Sequence, residues 1–140
     1  MQLDEHLKTL GTSQELHELI MACAQGVYEI SSVVRTGAAL GKADTINVFG
    51  EQQLKLDVIS NDILLKIFQE HASVDYVASE EMETEKHLHV SNLEEEGPQS
   101  SGKFSVCFDP LDGSSLVDVN FAVGTIIAIY PKGSFIGKKP

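Results

Sequence analysis

Two long stretches of the chain carry apolar residues at three- and four-residue spacings, as on one face of a helix. The first stretch follows Thr12 and Glu15, which form a capping-box pattern, and ends near Arg35. The second stretch follows Gly50 and ends near His71. The sequence therefore predicts two amphipathic helices. Their apolar positions are Leu16, Leu19, Ile20, Cys23, Val27, Ile30 and Val34 in the first helix and Leu56, Ile59, Ile63 and Ile67 in the second.

Three shorter apolar segments in the second half of the chain are typical of β-strands. They are Val74 to Ala78, Phe104 to Phe108 and Phe121 to Tyr130. The middle segment is a short unbroken run with Pro and Gly soon after it, which suits a strand buried on both faces. Two helices followed by three strands indicate an α/β domain built from layers of helix and sheet.

The remaining segments are polar or contain glycine. We expect residues 1–11 to form a flexible N-terminal arm, and Thr36 to Asp44 to form a flexible loop. The polar stretch from Glu83 to Pro98 is typical of a solvated surface loop. Its histidines, His87 and His89, have no Cys or second His pair nearby. We therefore expect exposed histidines rather than transition-metal ligands.

The composition is that of an ordinary globular protein, with 42% hydrophobic and 22% charged residues in 140. The net charge of −11 argues against nucleic acid or an anionic membrane as a partner. It would also repel a phosphorylated substrate unless cations neutralise part of it. No apolar run approaches the length of a membrane span, and the acidic N-terminus does not resemble a targeting signal. We expect a cytoplasmic protein.

The two cysteines lie within apolar patterns and lack the spacing of metal ligands. Cys23 falls on the apolar face of the first predicted helix, and Cys107 falls inside the strand Phe104 to Phe108. Both are expected to be reduced, buried core residues, without the electropositive surroundings that make a thiol reactive.

The strand Phe104 to Phe108 runs directly into the sequence Asp-Pro-Leu-Asp-Gly-Ser-Ser. Asp109 and Asp112 are hard oxygen ligands one tight turn apart, as Mg²⁺ prefers. Pro110 is expected to stop the strand, and Gly113 lets the backbone approach a ligand closely. The residues that offer amide and hydroxyl groups to a phosphate are Gly113, Ser114 and Ser115. The pattern predicts phosphate ester chemistry.

Other interpretations of this motif exist. Asp-Pro-x-Asp-Gly is often only a turn, with Asp as a helix cap and Gly at positive φ. In a calcium-binding EF-hand loop, Leu111 and Gly113 would occupy positions that need carboxylates, so that interpretation fails. Spacing alone does not decide between a turn and a metal–phosphate site.

A second acidic pair, Glu80 and Glu81, follows the strand Val74 to Ala78. Taken alone, this pair is typical of a solvated loop. If the strands that precede the two acidic pairs are parallel neighbours, all four acids meet at the carboxyl edge of the sheet. Two unit charges 4 Å apart repel by about 4 kcal/mol at an effective dielectric of 20. Bound Mg²⁺ would relieve that repulsion, and a two-metal site would also activate water.

Three segments together resemble the fructose-1,6-bisphosphatase family, which includes sedoheptulose-1,7-bisphosphatase. They are Gly50–Asp57, Ser79–Glu81 and Phe108–Ser115, and the similarity runs in order from Thr12 to Tyr130. The resemblance implies an α+β layered sandwich with N-terminal helices packed on a mixed β-sheet. It implies that residues 12–140 are the N-terminal domain of a sugar bisphosphatase whose C-terminal domain is absent from this chain, so the chain alone is expected to be inactive.

The activity that the resemblance implies is magnesium-dependent removal of the 1-phosphate of fructose 1,6-bisphosphate or sedoheptulose 1,7-bisphosphate, in gluconeogenesis or the Calvin cycle. Mn²⁺ is an alternative metal, and a dimeric or tetrameric homo-oligomer is implied. Among the residues, Glu80 would bridge metals, Asp109 would bind two of them, and Asp112 and the Leu111 carbonyl would complete the coordination. Glu51 matches an acidic position in the mobile loop of the family that reaches the metals.

The resemblance also implies the catalytic and substrate-binding residues. Asp57 and Glu81 would together deprotonate a water that attacks the phosphate in line, with no phosphoenzyme. The residues that would hold the transferred phosphate are Asp112, Gly113, Ser114 and Ser115.

Departures from the family pattern bear on substrate and control. Leu116 stands where fructose-bisphosphatases usually have Asn, and Val117–Thr125 is more similar to the sedoheptulose branch. The loop Gly37–Thr45 contains no Cys, so a thioredoxin switch is not expected. Gly11–Glu15 and Lys103–Phe104 match the AMP-binding segments of the family only in part, so AMP control is not expected either.

Two rival functions remain open on the sequence. One is an inositol-phosphate phosphatase, which would share the metal site but not the similarity through Asp57 and Leu116–Thr125. The other is a non-catalytic acidic metal-binding module, which the short length favours. A magnesium-dependent assay of phosphate release separates these functions when it compares fructose 1,6-bisphosphate, sedoheptulose 1,7-bisphosphate and inositol phosphates.

Overall fold

The computed structural model describes residues 2–40, 48–88, 102–119 and 122–136. Within these residues, three α-helices come first and a small sheet follows. The helices are α1 (Leu3–Thr9), α2 (Gln14–Leu40) and α3 (Val48–Glu70). The strands are β1 (Val74–Ser79), β2 (Lys86–His87), β3 (Phe104–Asp112) and β4 (Gly124–Pro131), with a 3₁₀ helix at Ser114–Val119 between β3 and β4.

The sheet is mixed, with the strand order β2-β1-β3-β4. Strands β1 and β3 are parallel, with Val77 opposite Val106 and Ser79 opposite Phe108. The pairs β1–β2 and β3–β4 are antiparallel. The predicted fold class, helices packed on a mixed sheet, is confirmed.

The core lies between the long helices and one face of the sheet. The Phe68 and Phe108 rings tilt against each other, with centroids 5.4 Å apart. Each large apolar side chain buried here contributes about 2–3 kcal/mol by its removal from water. Val27 and Ile59, which the periodicity assigned to the apolar faces, are 39% and 42% exposed. The fully or nearly buried core residues are Leu19, Cys23, Ile30, Leu56, Leu64, Phe68, Val74, Val77, Leu88, Val106, Phe108 and Leu111.

The N-terminal arm expected over residues 1–11 contains helix α1. Gln2 and Glu5 form a capping box that starts the helix, and Leu7 is 5% exposed. The carboxylate of Asp4 lies 2.9 Å from the Nε2 atom of His17 and 2.6 Å from the Lys8 ammonium. The buried Leu7 side chain and the contact between Asp4 and His17 thus hold the segment against α2.

Helix α2 also extends beyond its predicted end at Arg35 and continues through Thr36–Leu40. The Thr36 hydroxyl donates back to the Ser32 carbonyl, and the Ala-rich sequence that follows favours a helix. The expected flexible loop is therefore wrong over residues 36–40, and the rest of that loop to Asp44 lies outside the described residues.

Strand β3 continues through Pro110 instead of stopping there. The pairing of β3 with β4 is irregular between Asp109 and Asp112, and it resumes with Asp112 opposite Gly124. Such a bulge accommodates a residue that has no N–H to donate. The Thr125 hydroxyl donates to the Pro110 carbonyl at 3.0 Å, which ties the irregular stretch to β4.

The polar stretch after Glu83 is only partly a solvated loop. His87 stacks on Tyr76 with ring centroids 4.3 Å apart, and its Nε2 atom lies 2.9 Å from Oδ1 of the buried Asp75. The expectation of an exposed His87 is therefore wrong, because a buried acid on the neighbouring strand provides a partner for its ring. His89 and the segment to Pro98 lie outside the described residues.

The cysteines are both free thiols in different surroundings. Cys23 is buried, and burial raises the pKa of its thiol to about 11. Cys107 is only half-buried, so its predicted full burial is wrong. None of the helices in the described ranges is long and apolar enough to cross a membrane.

Candidate functional site

The ends of β1 and β3 meet at one edge of the sheet. Because these strands are parallel, Ser79 lies opposite Phe108, and the residues that follow them emerge side by side. The Glu80 N–H donates to the Phe108 carbonyl at 3.1 Å, which extends the pairing by one step. Glu80 therefore leaves the sheet beside Asp109, which stays in β3 and pairs with Ile126 of β4, so the acids that follow the two predicted strands lie next to each other.

The carboxyl groups at this edge lie close enough to influence one another. A hydrogen bond to the Asp109 carboxyl, followed by the charge of Asp109, raises the pKa of the exposed Glu80 carboxyl. The charges of Glu81 and Asp112 raise the pKa of Glu80 further. Two carboxyl groups share a hydrogen bond when one of them carries a proton. The structure thus brings the predicted metal ligands Glu80, Asp109 and Asp112 into one region of like charge.

Helix α3 adds a further acid, Asp57. Burial, and to a smaller extent the charge of Asp109, raises the pKa of Asp57, while a hydrogen bond with Ser114 opposes the shift. This carboxyl is half-buried, between the acidic strand end and the start of the 3₁₀ helix. The predicted proton acceptor therefore contacts the predicted phosphate-binding segment.

The turn after β3 is fixed by local hydrogen bonds. The Asp109 carboxylate accepts the Leu111 N–H at 3.1 Å, and the Gly113 carbonyl accepts the Leu116 N–H at 2.8 Å. Gly113 has a φ of +80°, in the left-handed region that favours glycine. A Cβ atom there would meet its nearest atom only at 3.5 Å, so backbone conformation rather than lack of space requires glycine.

The phosphate-binding candidates Ser114 and Ser115 begin the 3₁₀ helix. Ser114 is half-buried and hydrogen-bonded to Asp57, whereas Ser115 is exposed. Gly113 precedes both. The serine hydroxyls and the backbone amides of residues 113–115 therefore lie beside the acids at the sheet edge. A phosphate bound to this turn would also be near Asp57.

The backbone of Glu81 is held by Ser79 and Asn61, two residues to which the sequence analysis assigned no role. The Ser79 hydroxyl accepts the Glu81 N–H at 3.2 Å and donates to the Asn61 side-chain oxygen at 2.7 Å. Both Ser79 and Asn61 are 9% exposed. The available signal was an Asn among the buried positions of α3, since a buried amide needs a polar partner.

The predicted metal ligands that the structure describes do not form a complete coordination site. Among the side chains that the structure describes, no three His, Cys, Asp or Glu residues are grouped so that they could hold one ion. Glu80 and Asp109 form an adjacent pair of hard oxygen donors, and the Leu111 N–H is engaged with Asp109. Glu51 lies in the first turns of α3, but its side chain is outside the described part.

Comparison with known proteins gives the family. Residues 1–139 match the family model described as "Fructose-1-6-bisphosphatase, N-terminal domain". The chain belongs to the fructose-1,6-bisphosphatase family. The resemblance found in the sequence is thereby confirmed, and it covers the acidic strand ends and the Asp-Pro-Leu-Asp-Gly turn.

Named members of the fructose-1,6-bisphosphatase family are similar along nearly all of the chain. A class 1 fructose-1,6-bisphosphatase from Pelobacter propionicus is 48% identical over 130 residues, which are 93% of this chain and 38% of the relative. One from Shewanella amazonensis is 43% identical over 135 residues, or 94% of this chain and 39% of the relative. The chain thus spans about two-fifths of the length of these relatives.

Two solved structures share the fold. The fructose-1,6-bisphosphatase of Leishmania major in its holo form aligns with a TM-score of 0.74 at 26% identity, covering all of this chain and 40% of that one. A Toxoplasma gondii protein described as a sedoheptulose-1,7 bisphosphatase aligns with a TM-score of 0.69 at 36% identity, covering 95% of this chain and 38% of that one. Both kinds of sugar bisphosphatase are therefore structural neighbours.

Proposed function

We propose that the protein removes the 1-phosphate of a sugar bisphosphate, with Mg²⁺ or Mn²⁺ as the metal. The observation that carries this proposal is the approach of Asp57, Glu80 and Asp109 to one another beside the Gly113 turn. Membership of the fructose-1,6-bisphosphatase family supports the same chemistry. Because the chain spans about two-fifths of its relatives, the proposal concerns the activity of the whole protein.

The donor chemistry at the sheet edge suits a hard divalent cation. The groups that would hold it are those of Glu80, Asp109, Asp112 and the Leu111 carbonyl, and the family resemblance adds Glu51. The crowding of acids that raises the pKa of Glu80 is the repulsion that a cation neutralises. When bound, Mg²⁺ supplies Lewis acidity toward the phosphate oxygens.

The residues of this chain supply proton transfer and phosphate binding. The oxygen of a water molecule forms a bond to phosphorus, and Asp57 with Glu81 takes the water proton. The bond from phosphorus to the sugar oxygen breaks, and the sugar oxygen takes up a proton from solvent and leaves as a hydroxyl. The raised pKa of Asp57 makes it a better proton acceptor than an ordinary carboxylate. The groups that would hold the phosphate are the amides and hydroxyls of Asp112, Gly113, Ser114 and Ser115.

The choice of sugar is the finer part of the proposal. The class 1 relatives are named for fructose 1,6-bisphosphate, whereas Leu116 and the segment after it are more similar to the sedoheptulose branch. We propose that both bisphosphates are substrates of the protein, which we expect to be a dimer or tetramer. Light scattering on the purified protein measures the oligomeric state.

The test is phosphate release by the full-length protein from fructose 1,6-bisphosphate, sedoheptulose 1,7-bisphosphate and an inositol monophosphate. Activity is expected with the two sugar bisphosphates and only with Mg²⁺ or Mn²⁺ present. Asp109→Asn should lower kcat by at least about a hundredfold. Asp62→Asn, on the exposed side of α3, is the matched control and should keep full activity. Release from inositol phosphate alone, or an active Asp109→Asn variant, contradicts the proposal.

A further inference from the structure

The segment that follows β4, residues 132–136, runs back across the sheet. The Lys132 N–H donates to the Lys103 carbonyl at 2.9 Å. The Ser105 hydroxyl donates to the Gly133 carbonyl at 2.7 Å and accepts the Gly133 N–H at 3.0 Å. Ser105 is fully buried on β3, and its neighbour Val106 packs into the helix-covered core. Because side chains alternate along a strand, the segment lies on the opposite face of the sheet. We call residues 132–136 the strap.

Glu85 fastens the far end of the strap. One of its carboxylate oxygens accepts the Phe135 N–H at 2.6 Å, and the other accepts the Ser134 hydroxyl. The Phe135 ring also meets Tyr130 edge-on, with centroids 5.7 Å apart. Glu85 immediately precedes β2, whereas the strap follows β4 at the other side of the sheet. A single carboxylate thus joins the two edges of the sheet across its face.

Glu85 also ends the loop that carries Glu80 and Glu81. This loop, residues 80–85, joins β1 to β2, and we call it the acidic loop. Its first half is held by the Glu80 N–H on the Phe108 carbonyl and the Met82 N–H on the Ser79 carbonyl, both at 3.1 Å. Its second half is held by Glu85 through the strap. The acidic loop is therefore fixed from both ends.

We propose that Glu85 is a positioning residue, whose hold on the strap keeps the acidic loop and its carboxylates in place at the sheet edge. Hydrogen bonds to a charged carboxylate are about twice as strong as neutral ones, so Glu85 is a strong anchor for a short loop. Small displacements of reacting groups cost large factors in rate. The effect on catalysis rests on the proposed function, whereas the anchoring of the loop does not.

The first measurement is amide hydrogen exchange in the full-length protein. Glu85→Gln keeps the size of the side chain but removes one charged acceptor, so exchange at Phe135 should become about tenfold faster. Exchange at Glu80 and Met82, in the first half of the loop, should become at least about threefold faster. Glu83→Gln is the matched control, because Glu83 is an exposed acid of the same loop, and it should leave all three rates unchanged.

A second variant keeps the test decisive if Glu85→Gln folds poorly. Ser134→Ala removes a donor from the strap and leaves Glu85 in place, so it should speed exchange at Glu80 and Met82 in the same direction. The double variant should show less than the sum of the two effects, because both changes break one contact. Faster exchange at Phe135 with unchanged rates at Glu80 and Met82 overturns the proposal.

Kinetics then test the consequence for the site. Glu85→Gln should lower kcat about tenfold and raise the Mg²⁺ concentration for half-maximal activity about threefold, with KM for the sugar bisphosphate nearly unchanged. A purely structural role would lower thermal stability and leave the Mg²⁺ midpoint where it is, which contradicts the proposal. If the unaltered protein has no phosphatase activity, the proposed function fails, and the exchange rates still decide whether Glu85 anchors the loop.

Discussion

The two ends of strand β1 hold their acidic side chains in opposite ways. Asp75, near the start of the strand, is 1% exposed, and its carboxylate lies 2.9 Å from the His87 ring. Glu80, just beyond the other end, is exposed and shares a hydrogen bond with another carboxyl group, that of Asp109. Among the ion pairs in the described residues, none involves Glu80 or Asp109.

The two acids differ in role: Asp75 is placed to stabilise the fold, whereas Glu80 is placed to bind a proton or a cation. A buried carboxylate with a hydrogen-bonded partner supports the fold, and removing it leaves polar groups unsatisfied. Carboxylates crowded together destabilise the folded state unless a proton or a cation neutralises them. We infer that the start of β1 serves stability and that its end serves function.

The largest expected effect is on stability at the start of β1. Asp75→Ala removes a buried partner of His87, so it should lower the free energy of unfolding by about 3 kcal/mol. Urea unfolding measures this loss. Asp62→Ala, at an exposed position of α3, is the control and should change stability little. An equally small effect at Asp75 would mean that this acid does not stabilise the fold.

A pH-dependent effect is expected from Asp57. Its pKa is raised above the ordinary value of 3.8, mainly by burial, so the folded state binds this proton more tightly than the unfolded state. The stability that this contributes is present below about pH 3.8 and is lost as the pH rises through the raised pKa. Asp57→Asn should therefore become more stable relative to the unaltered protein as the pH rises from 4 to 7. Parallel stability curves for the two proteins would contradict a raised pKa of Asp57 in the folded state.

Glu80→Gln should have a smaller effect, and in the direction opposite to Asp75→Ala. Replacing the carboxyl with an amide removes a like charge beside Asp109 and keeps a hydrogen-bonding group. The melting temperature at pH 7 in the absence of divalent metal should stay the same or rise. A clear fall would mean that Glu80 stabilises the fold, as Asp75 does.

Thiol redox state should have the smallest effect. Burial raises the pKa of Cys23 to about 11, so its thiolate is scarce at neutral pH. Activity of the full-length protein should be unchanged after incubation with reduced and then oxidised dithiothreitol. A reversible change that disappears in the Cys23→Ser, Cys107→Ser double variant would show that these two thiols form a switch.

The sequence was sufficient where local patterns decide the structure. Helical spacing predicted α2 and α3, and the strand-like segments before Glu80 and Asp109 predicted the sheet edge once the strands were assumed to be parallel. The pairing of Ser79 with Phe108 confirms that assumption. The helices and strands depend on periodicity, which a single sequence carries, whereas the direction of the strands had to be assumed.

Contacts between distant segments could not be predicted in the same way. Glu85 and His87 were assigned to a solvated loop because their own neighbours are polar, yet their partners are Phe135 and Asp75. Pro110 was expected to end its strand, but β4 accommodates it at an irregular pairing. Each of these outcomes depends on a residue at least ten positions away in the chain.

We propose that Glu80, just after β1, and Asp109 and Asp112, in the last part of β3, hold a divalent cation. Calorimetric titration of the full-length protein with Mg²⁺, without substrate, tests it most directly, with Asp109→Asn and Asp62→Asn titrated alongside. We predict saturable binding to the unaltered protein and to Asp62→Asn, weakened at least about tenfold in Asp109→Asn. Equal binding by all three proteins, or none by the unaltered protein, would contradict the account.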